Sequence, residues 1–189
     1  IFKEDIKRYF SNSEIFNIFN SNKRILLFLI EQQIIIFDEY IVKKITNTNK
    51  YIKANYPEYF QPEIQPFRKC GNSNKEEDEN FHNKRKEGEN DNHICELIRK
   101  DMITEFVVHV NKNNVSLNST IQPSIYETNS FLLKQQTESN QNQQLTLIEY
   151  AVFFGSIQIF NYLRLEGVEL TPSMWPLAIH GQNAEIIHF

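Results

Sequence analysis

The sequence has 189 residues and a mass of 22.5 kDa, enough for one domain or two small ones. A net charge of −4 and a pI near 5.8 argue against a general nucleic-acid binder, which would present a basic face. The longest uninterrupted apolar run, residues 25–30, is far shorter than the roughly 20 residues of a bilayer-spanning helix, so we expect no membrane segment.

Residues 1–46 have the apolar spacing of helices. Ser21-Asn22 offers an N-cap before the apolar run 25–30. Residues 34–45 continue with apolar side chains three and four positions apart, and Glu39 and Lys43 form an i, i+4 charge pair. A strand over 33–37 is the alternative, because its isoleucines are β-branched, but the pattern as a whole favours helix.

The N-terminal helical region is predicted to run from residue 1 to residue 70. Its last part contains Pro57, Pro62 and Pro66, a density that prevents a regular helix through 51–67. Tyrosine and phenylalanine alternate with these prolines. We therefore expect an extended segment held against the helices by its aromatic side chains, with a binding motif as the alternative.

Residues 71–93 are predicted to be a disordered acidic and polar linker. Phe81 is the only large apolar residue in this stretch, and acidic residues outnumber basic ones. A segment of this composition buries too little apolar surface to offset the entropy lost on ordering. The short basic run at 84–86 is flanked by acidic residues and makes a poor localisation signal.

A repeat region is predicted over 94–189. Apolar spacing in 94–110 indicates two helices, with Asp101 as the expected N-cap of the second. A polar low-complexity insert follows at 134–144. Ile1 is not a methionine and Phe189 falls within an apolar pattern, so we expect a fragment cut inside a repeat, with Ile186, Ile187 and Phe189 exposed.

Residues 145–170 contain the signals of two short antiparallel helices. Thr146 and Glu149 form a capping box at the start of the first helix. Gly155 is placed to end that helix in a left-handed conformation, and Gly167 to end the second. Ser156 is the expected N-cap of the second helix.

This helix pair resembles the ankyrin repeat. The matching or closely substituted positions are Thr146, Leu147, Ala151, Gly155, Ile159, Phe160, Leu163 and Gly167. The departures are Leu147 in the proline position and Glu149 and Ser156 in the two histidine positions, so the polar tie inside the repeat differs. The resemblance implies an all-α fold that begins an α-solenoid of degenerate ankyrin-like helix-turn-helix repeats.

A second copy follows after 27 residues, with Ser173 aligned to Thr146 and Ile186 to Ile159. This offset is shorter than the usual 33 or so, which a trimmed loop would explain. Gly181 lies one place before the position that matches Gly155. Residues 94–110 are a candidate degenerate first unit, although they lack both glycines.

Further stretches resemble an uncharacterised domain family that accompanies ankyrin arrays in large paralogous sets of certain single-celled eukaryotes. They are "LLFLIEQQIIIFDEYIVKKI", "YFQPEIQPF", "ICELIRKD" and "NKNNVSLNSTIQPSIYETNSFLLK". This resemblance covers most of the chain. It implies a helical fold and an ankyrin context, and it implies no activity.

The residues form no recognisable catalytic, cofactor-binding or metal-binding motif. His82, His93, His109, His180 and His188 make no HExxH motif and no metal-ligand spacing with a cysteine. Phosphate-binding glycine loops and nucleophile elbows are missing as well. We therefore expect no catalytic residue, no cofactor and no metal, and hence no enzyme. Cys70 and Cys95 lie far apart, which fits reduced thiols in a cytoplasmic protein.

The resulting hypothesis is a protein–protein interaction module of the scaffold or adaptor type, with an unidentified protein partner and neither nucleic acid nor membrane. The alternative is a regulatory or targeting segment of a larger enzyme whose catalytic part lies outside these residues. Trp175 would anchor a partner if exposed, but in a repeat helix a core position is the preferred interpretation.

Overall fold

The computed structural model describes residues 2–47, 55–68, 79–133 and 144–188, and it confirms the all-α prediction. Within these ranges no strand forms, and the only β-type pairing is an isolated bridge between Thr120 and Thr146. The chain divides into two compact units. Unit 1 comprises Ile1–Glu89 and Ile125–Thr137, and unit 2 comprises Asn90–Ser124 and Glu138–Phe189.

The described residues of unit 1 form short helices, and those before residue 68 fall in the predicted N-terminal helical region. They are α1 (Phe2–Tyr9), α2 (Asn12–Phe19), α3 (Lys23–Glu31), α4 (Glu39–Thr46), α5 (Tyr56–Tyr59), α6 (Gln61–Ile64) and α7 (Glu79–Glu87). Asn22 caps α3 as predicted, since its side-chain oxygen accepts from Ile25 N at 3.0 Å. The expected helix through 33–37 does not form, nor does the alternative strand: Gln33 adopts a φ of 54° and the chain turns before α4.

The proline-rich segment differs from its predicted extended form. It folds as α5, α6 and a 3₁₀ turn at Gln65–Phe67, each with one proline in its first turn. Proline is tolerated there because the first N–H groups of a helix have no intrahelical acceptor. The expected aromatic anchoring is present in the described part: Tyr56, Tyr59 and Phe60 are fully buried in the core of unit 1.

The predicted linker is wrong over residues 79–93. Residues 79–87 form α7, and Arg85 within it is only 4% exposed. Its guanidinium donates to Glu63 from Nη1 at 3.1 Å and from Nη2 at 2.6 Å, and it lies over the rings of Tyr59, Phe60 and Phe81. Composition missed this element because contacts of Arg85 and Phe81 with residues outside the segment, rather than a wide apolar face, hold it in place. The predicted linker residues 71–78 lie outside the described residues.

A second cation is buried in unit 1. Lys23 is 2% exposed, and its Nζ donates to the carbonyl oxygens of Ile125 at 3.0 Å and Glu127 at 3.3 Å. The same Nζ lies 5.1 Å from the ring centre of Tyr59. Burial lowers the pKa of Lys23 to about 8, although the Glu127 and Glu58 carboxylates oppose the shift.

Unit 2 contains three consecutive helix pairs. They are α8 (His93–Arg99) with α9 (Ile103–Asn113), α10 (Leu147–Phe154) with α11 (Ile157–Leu165), and α12 (Met174–Gly181) with α13 (Ala184–Ile187). The first helices pack in sequence, with α10 between α8 and α12, and the second helices follow the same order. Within unit 2 the pairs therefore stack one after another. The region 94–110 does form the first of these pairs, and the insert prediction at 134–144 falls almost wholly outside the described residues.

All three pairs turn on a left-handed residue at the same place. The φ angles are 50° at Asp101, 68° at Gly155 and 52° at Gln182, and in each pair the second helix begins two residues later. The predicted stops at Gly155 and Gly167 are thus left-handed as expected. Gly181 is not a stop; Gln182 occupies that position in the last pair.

Within unit 2, the capping predictions are confirmed at one helix and corrected at two. The Thr146–Glu149 capping box is present, with both reciprocal hydrogen bonds. Ser156 makes no capping bond to α11; its hydroxyl donates instead to Ile98 O at 2.6 Å. Asp101 does not cap α9. Its carboxylate accepts from Gln158 N and Ile159 N, each at 3.0 Å, and so caps α11 of the next pair.

An Asp101→Ala variant should lose about 1–2 kcal/mol of stability, because two N–H groups lose their acceptor and alanine resists the left-handed conformation. Urea unfolding and amide exchange at the start of α11 measure this loss. Asp101→Asn keeps one acceptor oxygen and tolerates a positive φ, so it should lose less. Equal stability of the alanine variant and the native chain would contradict the capping role.

Candidate interaction surface

An apolar surface is exposed on the last helix pair of unit 2. Trp175 is 56% exposed and Ile179, one turn later on α12, is 64% exposed. We call these two side chains the end surface. The predicted core position of Trp175 is therefore wrong, and so is the predicted exposure of Ile186, which is buried. Ile187 is partly buried, and Phe189 lies outside the described residues.

A cavity of about 130 Å³ opens beside Trp175. Its lining is mainly apolar and comes from the last two helix pairs, with Val152 of α10, Phe160 of α11, and Met174 and Ala178 of α12 among its residues. Trp175 forms part of the wall, so a side chain inserted here would contact the indole directly. The arrangement can hold an aliphatic or aromatic group, and it presents no set of titratable groups for chemistry.

The same two positions are covered in both preceding helix pairs. Counted back from the left-handed residue of each pair, Trp175 and Ile179 correspond to Ile148 and Val152 of α10, and to Ile94 and Ile98 of α8. Ile148 and Val152 are each 1% exposed, and Ile94 and Ile98 are 8% and 0% exposed. Their helices, α10 and α8, pack against α12 and α10 respectively. The end surface is thus the third copy of a stacking face that a helix covers twice within unit 2.

Close backbone contact fixes α12 against α10. A Cβ added to Gly181 would overlap the Val152 carbonyl oxygen and would lie 3.0 Å from Gly155 N. Asn183 donates from Nδ2 to Gly155 O at 3.0 Å, and the His180 ring stacks on Phe153 with 4.0 Å between centres. These contacts hold α12, the helix that carries Trp175 and Ile179, against α10.

A Gly181→Ala variant is expected to lose about 1–3 kcal/mol, because the new methyl group meets backbone atoms that cannot rotate away. This cost exceeds the gain of about 1 kcal/mol from the better helix propensity of alanine. Trp175, the only tryptophan of the chain, reports the change through its emission during urea unfolding.

Gly167→Ala is the matched control, since a Cβ there meets open space and only the left-handed φ of 86° resists it. We expect a loss of about 1–2 kcal/mol and native Trp175 emission in the folded state. A Gly181→Ala protein as stable as the native chain would show that α12 does not depend on this close approach.

The rim of the last helix pair is acidic. Glu166, Glu169 and Glu185 are exposed, and residues 165–189 contain no lysine or arginine. The stretch that contains Trp175 and Ile179 therefore carries acidic side chains and neither lysine nor arginine. A ligand with positive charges at its margins would match this distribution.

The residues considered for metal binding or catalysis do not gather into one site. His93 and His109 pack edge to face with 5.1 Å between ring centres, and His180 contacts Phe153. Cys95 is a buried thiol in α8. In the described part of the chain no group of three or more His, Cys, Asp and Glu side chains could hold a metal ion, and no helix is long and apolar enough to cross a membrane.

Comparison with protein-family models, with curated proteins and with solved structures finds no match for this chain. The ankyrin resemblance accordingly stays a prediction from the motif, and the geometry of the residues carries the functional argument. Ile179 is the surface residue that the motif comparison missed. The sequence contained a signal for this residue. Ile179 lies 27 residues after the buried Val152, the same offset that relates the two copies, so the two residues occupy equivalent positions.

Proposed function

We propose that unit 2 is a protein–protein interaction module of the ankyrin type, acting as a scaffold or adaptor without catalytic activity of its own. The observation that carries this proposal is the end surface: Trp175 and Ile179 are exposed at positions that are buried in the two preceding helix pairs. An exposed tryptophan beside an apolar cavity is typical of an anchor position in a protein interface.

Three stacked helix pairs with the same left-handed turn support the repeat character. The partner in this proposal is a protein and neither a nucleic acid nor a membrane, in keeping with the net charge of −4 and the acidic rim. We place the module in the cytoplasm, where the buried thiol of Cys95 would stay reduced.

The test is recovery and reconstitution of a partner. The tagged 189-residue chain is expressed in its native cells, crosslinked and purified, and the recovered proteins are identified by mass spectrometry. Each candidate is then produced pure and titrated against the chain by calorimetry. Saturable binding with fixed stoichiometry supports the proposal. If none of the purified candidates binds, or if the chain turns over a substrate, the proposal is overturned.

A further inference from the structure

The end surface has a defined kind of occupant. We propose that Trp175 and Ile179 receive an amphipathic α-helix of a protein partner, with aliphatic side chains on one face and lysine or arginine at its margins. This helix lies across α12 as α12 lies across α10. The inference rests on the proposed function, and it adds the chemistry of the partner and the residues that bind it.

The first argument is continuity with the interfaces inside unit 2. The corresponding aliphatic side chains of α8 and α10 are 8% exposed or less, and each of these helices packs against the first helix of the next pair. The two side chains on α12 have the same i, i+4 spacing. Trp175 extends further from its helix than the isoleucines at the equivalent positions. A surface of this shape accepts ridges of side chains spaced three and four residues apart, as a helix presents them.

The second argument is charge. Three exposed glutamates and no lysine or arginine lie in residues 165–189. A second copy of the chain, placed symmetrically on this surface, would bring two acidic rims together, and like charges at an interface oppose association. A helix with basic margins instead gains attraction from the same glutamates. The observations therefore favour a partner helix over self-association.

The probe is a synthetic amphipathic peptide of about 18 residues, without tryptophan, with leucines on one face and lysines beside them. Trp175 is the only tryptophan of the chain, so its emission reports directly on the end surface. We expect a saturable blue shift on titration with the peptide. Ile179→Gln should weaken binding about tenfold or more, whereas Val108→Gln, which alters another exposed aliphatic residue of unit 2, should change it less than about twofold.

Two control peptides test the stated chemistry. One has the same composition with the leucines scattered around the helix, and the other carries glutamate in place of lysine. Both should bind about tenfold or more weakly than the probe at low salt, and added salt should reduce the difference between the lysine and glutamate peptides. Equal binding of either control, or native affinity in Ile179→Gln, overturns the inference.

Self-association is measured in parallel by sedimentation of the chain alone. A dimer that shifts Trp175 emission and disappears in Ile179→Gln would make a second copy the occupant, and the inference would fail. Its failure is distinguishable from that of the proposed function. A purified natural partner that binds native chain and Ile179→Gln equally would leave the interaction module in place and remove the end surface as its docking site.

Discussion

A Glu63→Gln variant is expected to lose about 3–5 kcal/mol of unfolding free energy, measured by urea titration followed by far-UV circular dichroism. Glu63 neutralises the buried Arg85 through two hydrogen bonds of 3.1 and 2.6 Å. Glutamine offers one acceptor oxygen and no charge, so a cation that is only 4% exposed would stay uncompensated. The rings that face Arg85 attract the cation but carry no net negative charge, and they already face it in the native chain, so they do not replace the carboxylate.

Two further variants separate charge loss from a general effect of substitution. Glu79→Gln changes an exposed glutamate of α7 and should stay within about 0.5 kcal/mol of the native chain. The double variant Glu63→Leu/Arg85→Met removes both charges and keeps an unbranched side chain over the rings, so it should recover most of the stability. A loss below about 1 kcal/mol in Glu63→Gln alone would contradict the role assigned to this ion pair.

The Arg85 site explains why residues 79–93 were predicted to be a linker. Composition measures how much apolar surface a segment can bury, and this segment contains little. What orders α7 is a contact with Glu63, 22 positions earlier, together with the edge-to-face contact of Phe81 with Tyr126 at 5.7 Å. Neither Glu63 nor Tyr126 belongs to the segment, so its own sequence does not reveal these contacts. Short-range patterns therefore missed an element that long-range polar contacts stabilise.

Signals that act within one helix turn were predicted correctly. The Thr146–Glu149 capping box and the left-handed glycines at 155 and 167 depend only on residues close in sequence, and the structure has all of them. The cap of α11 was predicted wrongly because its acceptor, Asp101, comes from the preceding helix pair. Local chemistry identified the need for a cap, and only tertiary structure identifies the residue that supplies it.

The end surface shows the same limit. The 27-residue offset placed Trp175 on a helix equivalent to α10, and that placement is observed. Whether the side chain is core or surface depends on what packs against its helix. Ile148 at the equivalent position of α10, which packs against α12, is 1% exposed, and Trp175 is 56% exposed. The repeat pattern alone predicts a stacking face. It does not determine what covers that face.

Unit 1 should become more stable between pH 8 and about pH 10 because of Lys23. Burial lowers the pKa of this lysine from its ordinary 10.5 to about 8 in the folded chain. Between these values the unfolded chain binds more protons, so stability rises with pH. The gain from Lys23 is about 2 kcal/mol by pH 9.5 and about 3 kcal/mol in full. Below pH 8 the lysine is charged in both states and contributes no pH dependence.

Two tyrosines in the same cluster of buried side chains as Lys23 limit this gain in stability at higher pH. Burial raises the pKa of Tyr59 to about 12 and raises that of Tyr56 as well. Their hydroxyls stay protonated in the folded chain while those of the unfolded chain ionise from about pH 10, so stability falls as pH increases further. We therefore expect the contribution of this cluster to reach its maximum close to pH 10.

Comparison of the native chain with Lys23→Met isolates the contribution of this lysine to the pH dependence of stability. Methionine fills much of the same volume and does not titrate. The unfolding free energy of Lys23→Met should therefore rise by about 2 kcal/mol less between pH 7.5 and 9.5 than that of the native chain. Lys44→Met, at an exposed position of α4, should keep the native slope. Parallel slopes in native and Lys23→Met proteins would mean that Lys23 titrates normally. In that case the hydrogen bonds from Nζ to Ile125 and Glu127 fully replace the solvation that burial removes.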